Sequence, residues 1–417
     1  MSVKPKASIT KKSVSKSATS KKSSDRKGDL TKNFVIGRAK VADADELLRL
    51  YFLIYQGSYP LAICSNPKAM TAALGDVDTY WYVIRERVSG AIIASTVFET
   101  DPLYLIGKLT GVVVHPDFRR LNLASKIIER GTGDLLLPKG TLRSIYTTTR
   151  TISRGPQMMC LDNGFLPLGI FPNAHKLQEF ETLTLMAKFG EGVLEERKNF
   201  VAVPEKIAPL LEIFQESVCL SRPISTTSPV PMSKEPPSDL RSMDFELIVA
   251  PEYVKRRFNE IYTDPYDRFF PFHKPNILMA PTNGEFEIFG YLNKADGHLA
   301  IIALSKSIAE LSHRLRPLLH SLRDIGVSYI EILIGLQFTD SLNALLEAKF
   351  LPSAIYPAMF KQKNQNRDLV VMTRTLEPLN FSGMQIDAGF KPYVEEYVKL
   401  WKTMYLETLE VFDEYQS

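Results

Sequence analysis

The stretch TGVVVHPDFRRLNLASKIIERG, residues 110–131, holds the side chains best suited to chemistry in this sequence. An apolar strand pattern runs into a loop with Arg119 and Arg120, and a helix pattern follows directly. Backbone N–H groups at the start of a helix lack partners, and the helix dipole favours an anion there. Two guanidinium groups add fixed positive charge and paired donors. Because the small residues Ala124 and Ser125 also allow a ligand close to the backbone, the pattern predicts a phosphate-binding site.

This stretch resembles motif A of the GNAT superfamily of acyl-CoA-dependent N-acetyltransferases. In that motif a strand and an x-Pro loop lead into the pattern Arg/Gln-x-x-Gly-x-Gly/Ala at the start of a helix. Residues 119–124, RRLNLA, correspond to this pattern here. The segments NFVIGRAKVADADELLRLY and DNGFLPLGIFP resemble the family's first strand and helix and its closing Gly-Phe step. The resemblance covers residues 34–190, and the element order also fits 242–376. It implies a mixed α/β fold of two tandem GNAT-like domains, each a mostly antiparallel central sheet flanked by helices.

The resemblance also implies acetyl-CoA, or coenzyme A, as co-substrate. Val112 and Val114 would offer backbone groups to the pantetheine arm, and the amides of the following loop would hold the pyrophosphate. The implied cofactor-binding residues are Val112, Val113, Val114, Arg119, Arg120, Leu121, Asn122, Leu123, Ala124 and Ser125. The alternative is an ordinary strand–helix loop that happens to carry arginines.

Two positions depart from the family pattern. Asn122 stands at the motif's first glycine; asparagine tolerates the left-handed conformation better than other non-glycine residues, although its side chain can narrow the pyrophosphate path. Cys160 stands four residues before Gly164, where the family commonly has a tyrosine as general acid. A thiol can protonate a thiolate, which makes Cys160 a candidate acid. The apolar neighbours Met159 and Leu161 favour the alternative, a buried and inert cysteine.

Acyl transfer further needs a base, because an alkylammonium cannot attack a thioester. Glu99, at the end of the strand AIIASTVFE beside the expected cleft, is the first catalytic candidate, and Tyr104 and His175 are weaker ones. A glutamate at a strand end is also common without any catalytic role. Two functions stay open: acetyl transfer to a primary amine of a small molecule or protein, or a non-catalytic coenzyme A-binding or scaffold module.

Two segments 185 positions apart, FLPLGIFP (165–172) and FLPSAIYP (350–357), agree at five of eight positions. Each follows a helix pattern and precedes a second strand pattern, so the repeat unit has the size of a domain. After the strand HLAIIAL the second copy reads SKSIAELSHRL, without the arginine loop. Ser307 and Glu310 there form the pattern of a capping box, which satisfies the free N–H groups of a helix. The second domain is therefore predicted not to bind coenzyme A.

Composition predicts a soluble chain with packed cores. Of 417 residues, 45% are hydrophobic and 24% charged, and no apolar run reaches the roughly 18 residues of a membrane span. Cys64, Cys160 and Cys219 are too few and too scattered for a disulfide framework or a zinc site. We therefore expect a cytoplasmic protein without a metal. Residues 1–33 carry ten lysines and arginines against two aspartates, a charge of +8, and predict a disordered arm; binding to nucleic acid is the less favoured alternative.

The expected organisation is a disordered basic tail (1–33), a GNAT acetyltransferase domain (34–218), a Pro/Ser-rich linker (219–241), a second GNAT-like domain without the coenzyme loop (242–376) and a C-terminal helical extension (377–417). The last helix has one apolar face, formed by Tyr393, Tyr397, Leu400 and Trp401. We expect this face to pack inside the chain, with contact to a second copy as the alternative. The expected partner is an amine acceptor, and neither a membrane nor nucleic acid is expected.

Overall fold

The computed structural model describes residues 33–56, 61–197, 202–218, 220, 223–228, 244–264, 266, 270–362 and 365–407. The prediction for the basic tail and most of the prediction for the linker, Cys219 included, lie outside these residues. Among the described residues, no helix combines the length and apolar character that crossing a membrane requires.

The first half of the chain forms seven strands with alternating or continuous apolar patterns. They are β1 (Phe34–Arg38), β2 (Thr79–Glu86), β3 (Ile92–Asp101), β4 (Ile106–Val114), β5 (Ser144–Arg150), β6 (Leu166–Lys176) and β7 (Phe180–Phe189). They lie side by side in the order β1-β2-β3-β4-β5-β7-β6. Every neighbouring pair is antiparallel except β4 and β5, which are parallel.

The second half repeats this arrangement. After a separate short parallel pair, β8 (Val203–Pro204) and β9 (Thr226–Thr227), come β10 (Phe245–Ile248), β11 (Ile277–Pro281), β12 (Ile288–Asn293), β13 (His298–Leu304), β14 (Tyr329–Gly335), β15 (Leu351–Gln362) and β16 (Gln365–Thr375). Their order, β10-β11-β12-β13-β14-β16-β15, matches the first half strand for strand. The parallel pair is again the fourth and fifth strand, β13 and β14.

Helices flank the sheet and connect its strands. They are α1 (Ala44–Tyr55), α2 (Ala62–Ser65), α3 (Pro67–Gly75), α4 (Leu123–Leu135), α5 (Gly155–Asp162), α6 (Ala208–Ser217), α7 (Pro251–Ile261), α8 (Ser312–Asp324), α9 (Thr339–Glu347) and α10 (Lys391–Lys402). The sequence analysis did not predict α2 and α3. The local signal for α3 is Asn66, whose side chain accepts a hydrogen bond from the N–H of Ala69, followed by Pro67 at the first helical position.

The repeated segments form the junction between the halves. β6 and β15 are antiparallel neighbours, with Gly169 opposite Ala354, so that one sheet of 14 strands runs through the molecule. Gly169 and Ala354 occupy the same position in the two copies, so the halves meet at equivalent residues, as a local two-fold relation requires. Gly169 has φ +146°, and a Cβ on it would lie 2.3 Å from the carbonyl oxygen of Ser353. Only glycine fits this close approach.

Helices α6 and α10 cover one face of this junction, and both contact β6 and β15. The hydroxyl of Tyr393 donates to the carbonyl oxygen of Pro167 at 2.8 Å, and the hydroxyl of Tyr397 lies 3.3 Å from Oγ1 of Thr373. Leu400 is buried as well. The prediction that the apolar face of the last helix packs inside the chain is thus confirmed. Trp401, on the same face, is half-buried.

The close approach at Gly169 gives a prediction about stability. We expect Gly169→Ala to lower the free energy of unfolding by about 1–3 kcal/mol, because the added methyl group meets backbone atoms that cannot move aside. Gly133→Ala is the matched control: Gly133 lies in α4 with nothing near its missing Cβ, so alanine should leave stability equal or higher. Denaturant unfolding followed by circular dichroism measures both. Equal stability of the two variants would contradict the tight junction.

Candidate functional site

The main cleft opens where the parallel strands β4 and β5 separate. Their ladder pairs residues 106–108 with residues 144–146. One further hydrogen bond joins the strands after the ladder: the hydroxyl of Thr147 donates to the carbonyl oxygen of Leu109 at 2.9 Å. Beyond this point the strands diverge around a cleft of about 590 Å³. One wall is the β4 backbone from Thr110 to Val114, the other is β5 to Arg150, and α5 lies at the bottom. One side of β4 therefore has backbone groups available to a ligand.

A bulge at Gly111 shapes the first wall. The register between β3 and β4 shifts between Ser95 and Val97, and Gly111 takes φ +63°. Its carbonyl oxygen accepts a 2.6 Å hydrogen bond from the buried hydroxyl of Tyr51. A Cβ on Gly111 would lie 2.8 Å from that same hydroxyl oxygen, so a larger residue would displace Tyr51. Gly111 is not among the residues predicted from the sequence, although a glycine inside a strand pattern is a usual sign of a bulge.

The loop after β4 places a series of backbone N–H groups at the mouth of the cleft. Arg120 (φ +66°) and Asn122 (φ +58°) are both left-handed, and the residues between and before them are not. The first intrahelical bond of α4 runs from the N–H of Lys126 to the carbonyl oxygen of Asn122. The amides of residues 123–125 therefore precede the helix's own ladder and can bind an anion. The expectation that Asn122 takes the left-handed conformation is confirmed.

The predicted cofactor residues divide into two groups. Val112, Val113, Val114 and Ala124 line the cleft, and Arg119, Arg120 and Asn122 are exposed in the loop after β4. The remaining three position the start of α4 instead. Leu123 is buried in the core, Leu121 is half-buried, and Ser125 accepts a hydrogen bond from the side chain of Asn163. The binding role of all these residues stays a prediction.

At its inner end the cleft meets a second cavity of about 170 Å³, which we call the shared cavity because both halves line it. His175 and Lys108 belong to the walls of both spaces. The first half contributes chiefly aromatic and small residues, and the second contributes a polar group. The second-half residues are Phe272, His273, Tyr291, Asn293, Asp296, His298 and Glu331.

No family model matches the sequence, and no curated protein matches it. Solved structures do match. An acetyltransferase of the GNAT family from Streptococcus pneumoniae is 18% identical and covers 38% of this chain and 99% of its own, with a TM-score of 0.33. Ribosomal-protein-S18-alanine N-acetyltransferase from Escherichia coli is 15% identical over 37% of this chain and 93% of its own, with a TM-score of 0.32. Spermidine N-acetyltransferase from Vibrio cholerae, in complex with CoA and spermine, is 11% identical over 38% and 96%, with a TM-score of 0.33.

The strand order of each half confirms the mixed α/β fold that the sequence predicts. The matches to solved structures concern the fold alone and assign no acceptor to this chain.

Cys160, the candidate acid, lies in α5 at the bottom of the cleft. It is buried, and burial raises the pKa of its thiol to about 12. Such a thiol is a weaker acid than the departing thiolate's own conjugate thiol, whose pKa lies near 8.5 if it is unperturbed, so proton donation from Cys160 runs uphill. This favours the inert interpretation, and its catalytic role stays a prediction.

The three candidate bases lie in different surroundings. Glu99 is exposed and lines a separate acidic cavity with Asp76, Asp78 and Asp101, which touches the cleft only through Lys108. Tyr104 packs edge-on against Tyr266 and Phe360 in the aromatic core between the halves. His175, the weaker candidate by sequence, is the one that lines both the cleft and the shared cavity.

His175 is held by a carboxylate from the other half of the chain. Its Nδ1 lies 3.1 Å from Oδ1 of Asp296, and the same oxygen accepts the backbone N–H of Lys176 at 3.0 Å. Asp296 is itself held by the side-chain amide of Asn293. The Nδ1 nitrogen faces the carboxylate, so a proton on Nδ1 would leave Nε2 as the acceptor nitrogen of the ring. Spacing alone could not reveal a pair separated by 121 positions in the sequence.

A second polar group in the shared cavity consists of His273, His298 and Glu331. Burial alone would raise the pKa of the Glu331 carboxyl, but the nearby imidazoles of His298 and His273 hold that pKa below its usual value. For His273, burial lowers the pKa despite the nearby carboxylate. The sequence analysis missed all three residues. The available signal was a glutamate in the otherwise apolar strand SYIEILIG, since a buried carboxylate needs partners.

The loop geometry predicts the behaviour of a double variant. We expect Arg119→Ala with Arg120→Ala to weaken coenzyme A binding by more than about tenfold, because charge-assisted bonds to phosphate are lost. Lys255→Ala with Arg256→Ala, two exposed cations on α7, is the matched control and should bind normally. Calorimetric titration of the full chain measures affinity and should give one coenzyme per chain. Unchanged affinity of the first variant, or two coenzymes per chain, would contradict the placement.

The burial of Cys160 predicts a small kinetic effect. We expect Cys160→Ser to keep turnover and coenzyme affinity within a few-fold of the unmodified chain, since its thiol is a poor proton donor. Cys64→Ser is the control, because burial also raises the pKa of this thiol to about 12 and Cys64 lies outside the cleft. Steady-state kinetics on both variants measure this. A loss of about 10²-fold or more for Cys160→Ser alone, at intact affinity, would make Cys160 the acid.

Proposed function

We propose that the chain is an acyl-CoA-dependent N-acetyltransferase that moves the acetyl group of acetyl-CoA to a primary amine. One observation carries the proposal. The cleft suited to the coenzyme opens, at its inner end, onto a histidine of the first half that a carboxylate of the second half holds in place.

The coenzyme would lie along the diverging strands. The pyrophosphate would take the amides of residues 123–125 and the charges of Arg119 and Arg120 at the mouth. The pantetheine arm would follow the β4 backbone from Val112 to Val114, inward past the bulge at Gly111. The thioester would then lie near Lys108 and His175, which line both the cleft and the shared cavity. The co-substrate supplies an activated acetyl group.

His175 would act as the base. Its Nε2 takes the proton that the ammonium group of the acceptor must lose before its nitrogen can attack the carbonyl carbon. As the N–C bond forms and the C–S bond breaks, the nitrogen loses a second proton to the departing thiolate, which leaves as the free thiol, and the proton on His175 then passes to solvent. Asp296 keeps the imidazole in the tautomer with Nε2 as acceptor and stabilises the imidazolium that results. It is a positioning residue, because it acts through His175.

The surroundings of His175 suit an amine. Phe171, Phe272 and Tyr291 give the shared cavity apolar surfaces that can pack against the carbon chain of an acceptor. The neighbouring acidic cavity, with Asp78, Glu99 and Asp101, attracts a cationic acceptor towards the same junction. The solved neighbours include a spermidine N-acetyltransferase and a ribosomal-protein N-acetyltransferase, so the fold serves both small and protein amines.

One observation favours the second candidate, a non-catalytic coenzyme A-binding or scaffold module. The position where the family has its acidic tyrosine holds the buried Cys160, whose pKa burial raises to about 12. One assay distinguishes the enzyme from the non-catalytic module: it measures the release of free thiol from acetyl-CoA in the presence of a broad panel of amines. Tight coenzyme binding without turnover on any amine would favour the module.

The base assignment predicts the effect of four single variants. We expect His175→Gln to lower turnover by about 10²–10⁴-fold with coenzyme affinity unchanged, because proton removal is lost and the cleft is not. Asp296→Asn should lower turnover in the same direction, since an amide can stabilise the other tautomer. His313→Gln, at an exposed position on α8, is the matched control and should keep full turnover. Thiol-release kinetics and coenzyme titration measure both quantities. A large loss for Glu99→Gln, with His175→Gln near normal, would return the base role to Glu99.

A further inference from the structure

His273, His298 and Glu331 meet in the wall of the shared cavity, and acetyl transfer by His175 makes no use of them. His273 lies in the segment before β11, His298 is the first residue of β13, and Glu331 is the third residue of β14. Because β13 and β14 are parallel neighbours, the side chains at the beginning of both strands lie at one edge of the sheet. The fold therefore brings two imidazoles and one carboxylate together from three separate segments.

The spacing of their ligand atoms is close to that of a metal shell. Nε2 of His273 lies 3.5 Å from Oε1 of Glu331, and Nε2 of His298 lies 3.6 Å from Oε2. All three offered atoms lie within 4.8 Å of one another. A tetrahedral Zn²⁺ with bonds of about 2.0–2.2 Å separates its ligand atoms by roughly 3.3–3.5 Å. The two distances run to different oxygens of the carboxylate, so either oxygen places one edge near this range, and side-chain rotation must bring the other two edges into it.

In the described residues, a buried nitrogen of the cluster faces a buried carboxylate without a hydrogen bond to it. His298 is 8% exposed, and within the described part of the chain its Nε2 has no hydrogen-bond partner. Glu331 is 2% exposed, and its carboxylate accepts one hydrogen bond, at 3.0 Å, from the hydroxyl of Tyr329. An unsatisfied buried nitrogen facing a buried carboxylate is costly unless an ion or a proton joins them.

The surroundings hold these groups in place. The imidazole of His273 stacks on the ring of Tyr291 at 4.3 Å with 6° between the planes, and the ring of His298 packs edge-on against Tyr329. The hydrogen bond from Tyr329 orients the carboxylate of Glu331 in the way that outer groups orient metal ligands. These contacts limit the side-chain rotation that the shell requires, and all three residues line the shared cavity.

We propose that His273, His298 and Glu331 bind one divalent transition-metal ion, with Zn²⁺ as the expected occupant. Two imidazoles and one carboxylate form a recognised zinc set that leaves a fourth position open. Here the open position faces the shared cavity, whose wall includes the ammonium group of Lys108. That charge favours an anionic oxygen as fourth ligand, either hydroxide or a carboxylate of the acceptor. The site does not depend on acetyl transfer and stands on the cluster alone.

Metal titration of the full chain tests this site directly. After dialysis against a chelator, we expect one Zn²⁺ per chain by competition with a chromophoric chelator, and a matching content by elemental mass spectrometry. Co²⁺ in the same site should give visible ligand-field bands without thiolate charge-transfer bands, because no cysteine is a ligand. His298→Ala should weaken Zn²⁺ binding by at least about 100-fold, and Tyr329→Phe by about 10–100-fold. His313→Ala removes an exposed histidine and should bind like the unmodified chain.

Three outcomes would overturn the proposal: no stoichiometric Zn²⁺, equal affinity in His298→Ala and His313→Ala, or a cobalt spectrum with thiolate bands. If no stoichiometric Zn²⁺ binds, the partner of Glu331 would be a protonated imidazole. Tyr329→Phe keeps the side-chain volume, so it tests the site even if His298→Ala does not fold, which circular dichroism decides. Because these readouts are independent of turnover, failure of the acetyl-transfer proposal would leave them unaffected.

Discussion

The contact of Gly169 with Ala354 is the constraint on which the rest of the molecule depends. At this point two strands of nearly the same sequence pass close enough that a methyl group on the first would overlap the backbone of the second. The two halves therefore cannot be separate domains that move on a linker. They share one sheet, and the hydrophobic clusters at its centre draw residues from both. Helices α6 and α10 then close one face of the junction.

The location of the polar residues follows from this junction. Because β6 is the joining strand, its far end carries His175 into contact with Asp296 from the loop between β12 and β13. The first half supplies the diverging strands and the loop of backbone N–H groups, and the second supplies the polar wall of the shared cavity. Neither half contains both the loop of backbone N–H groups and the polar wall. The corresponding loop of the second half instead closes on itself, since Ser307 and Glu310 bond each other's backbone N–H groups.

Local patterns in the sequence predicted the strands and most helices closely, because strand and helix periodicity and turn residues act over a few positions. The loop after β4 and the left-handed Asn122 were also predictable, since both follow from the chemistry of one short segment. The capping box formed as expected, but it closes a turn, and α8 begins only at Ser312. The pairing of the two copies was not predicted, because equal sequences do not say which edges meet. For the same reason His175 ranked below Glu99: its partner Asp296 comes near only after the sheet is joined.

The joined sheet also reduces the number of open edges, with a consequence for synthesis. Two separate sheets would expose four edge strands, whereas the single sheet exposes only β1 and β10, which are five and four residues long. The strand that loses its edge, β6, has 11 residues and leaves the ribosome long before β15, which begins at Leu351. At about 5–20 residues per second, the newly made first half carries this long unpaired apolar strand for roughly 10–35 s. During that time a neighbouring nascent chain on the same polysome exposes the same edge strand. This favours domain swapping, in which the first half of one chain pairs with the second half of another.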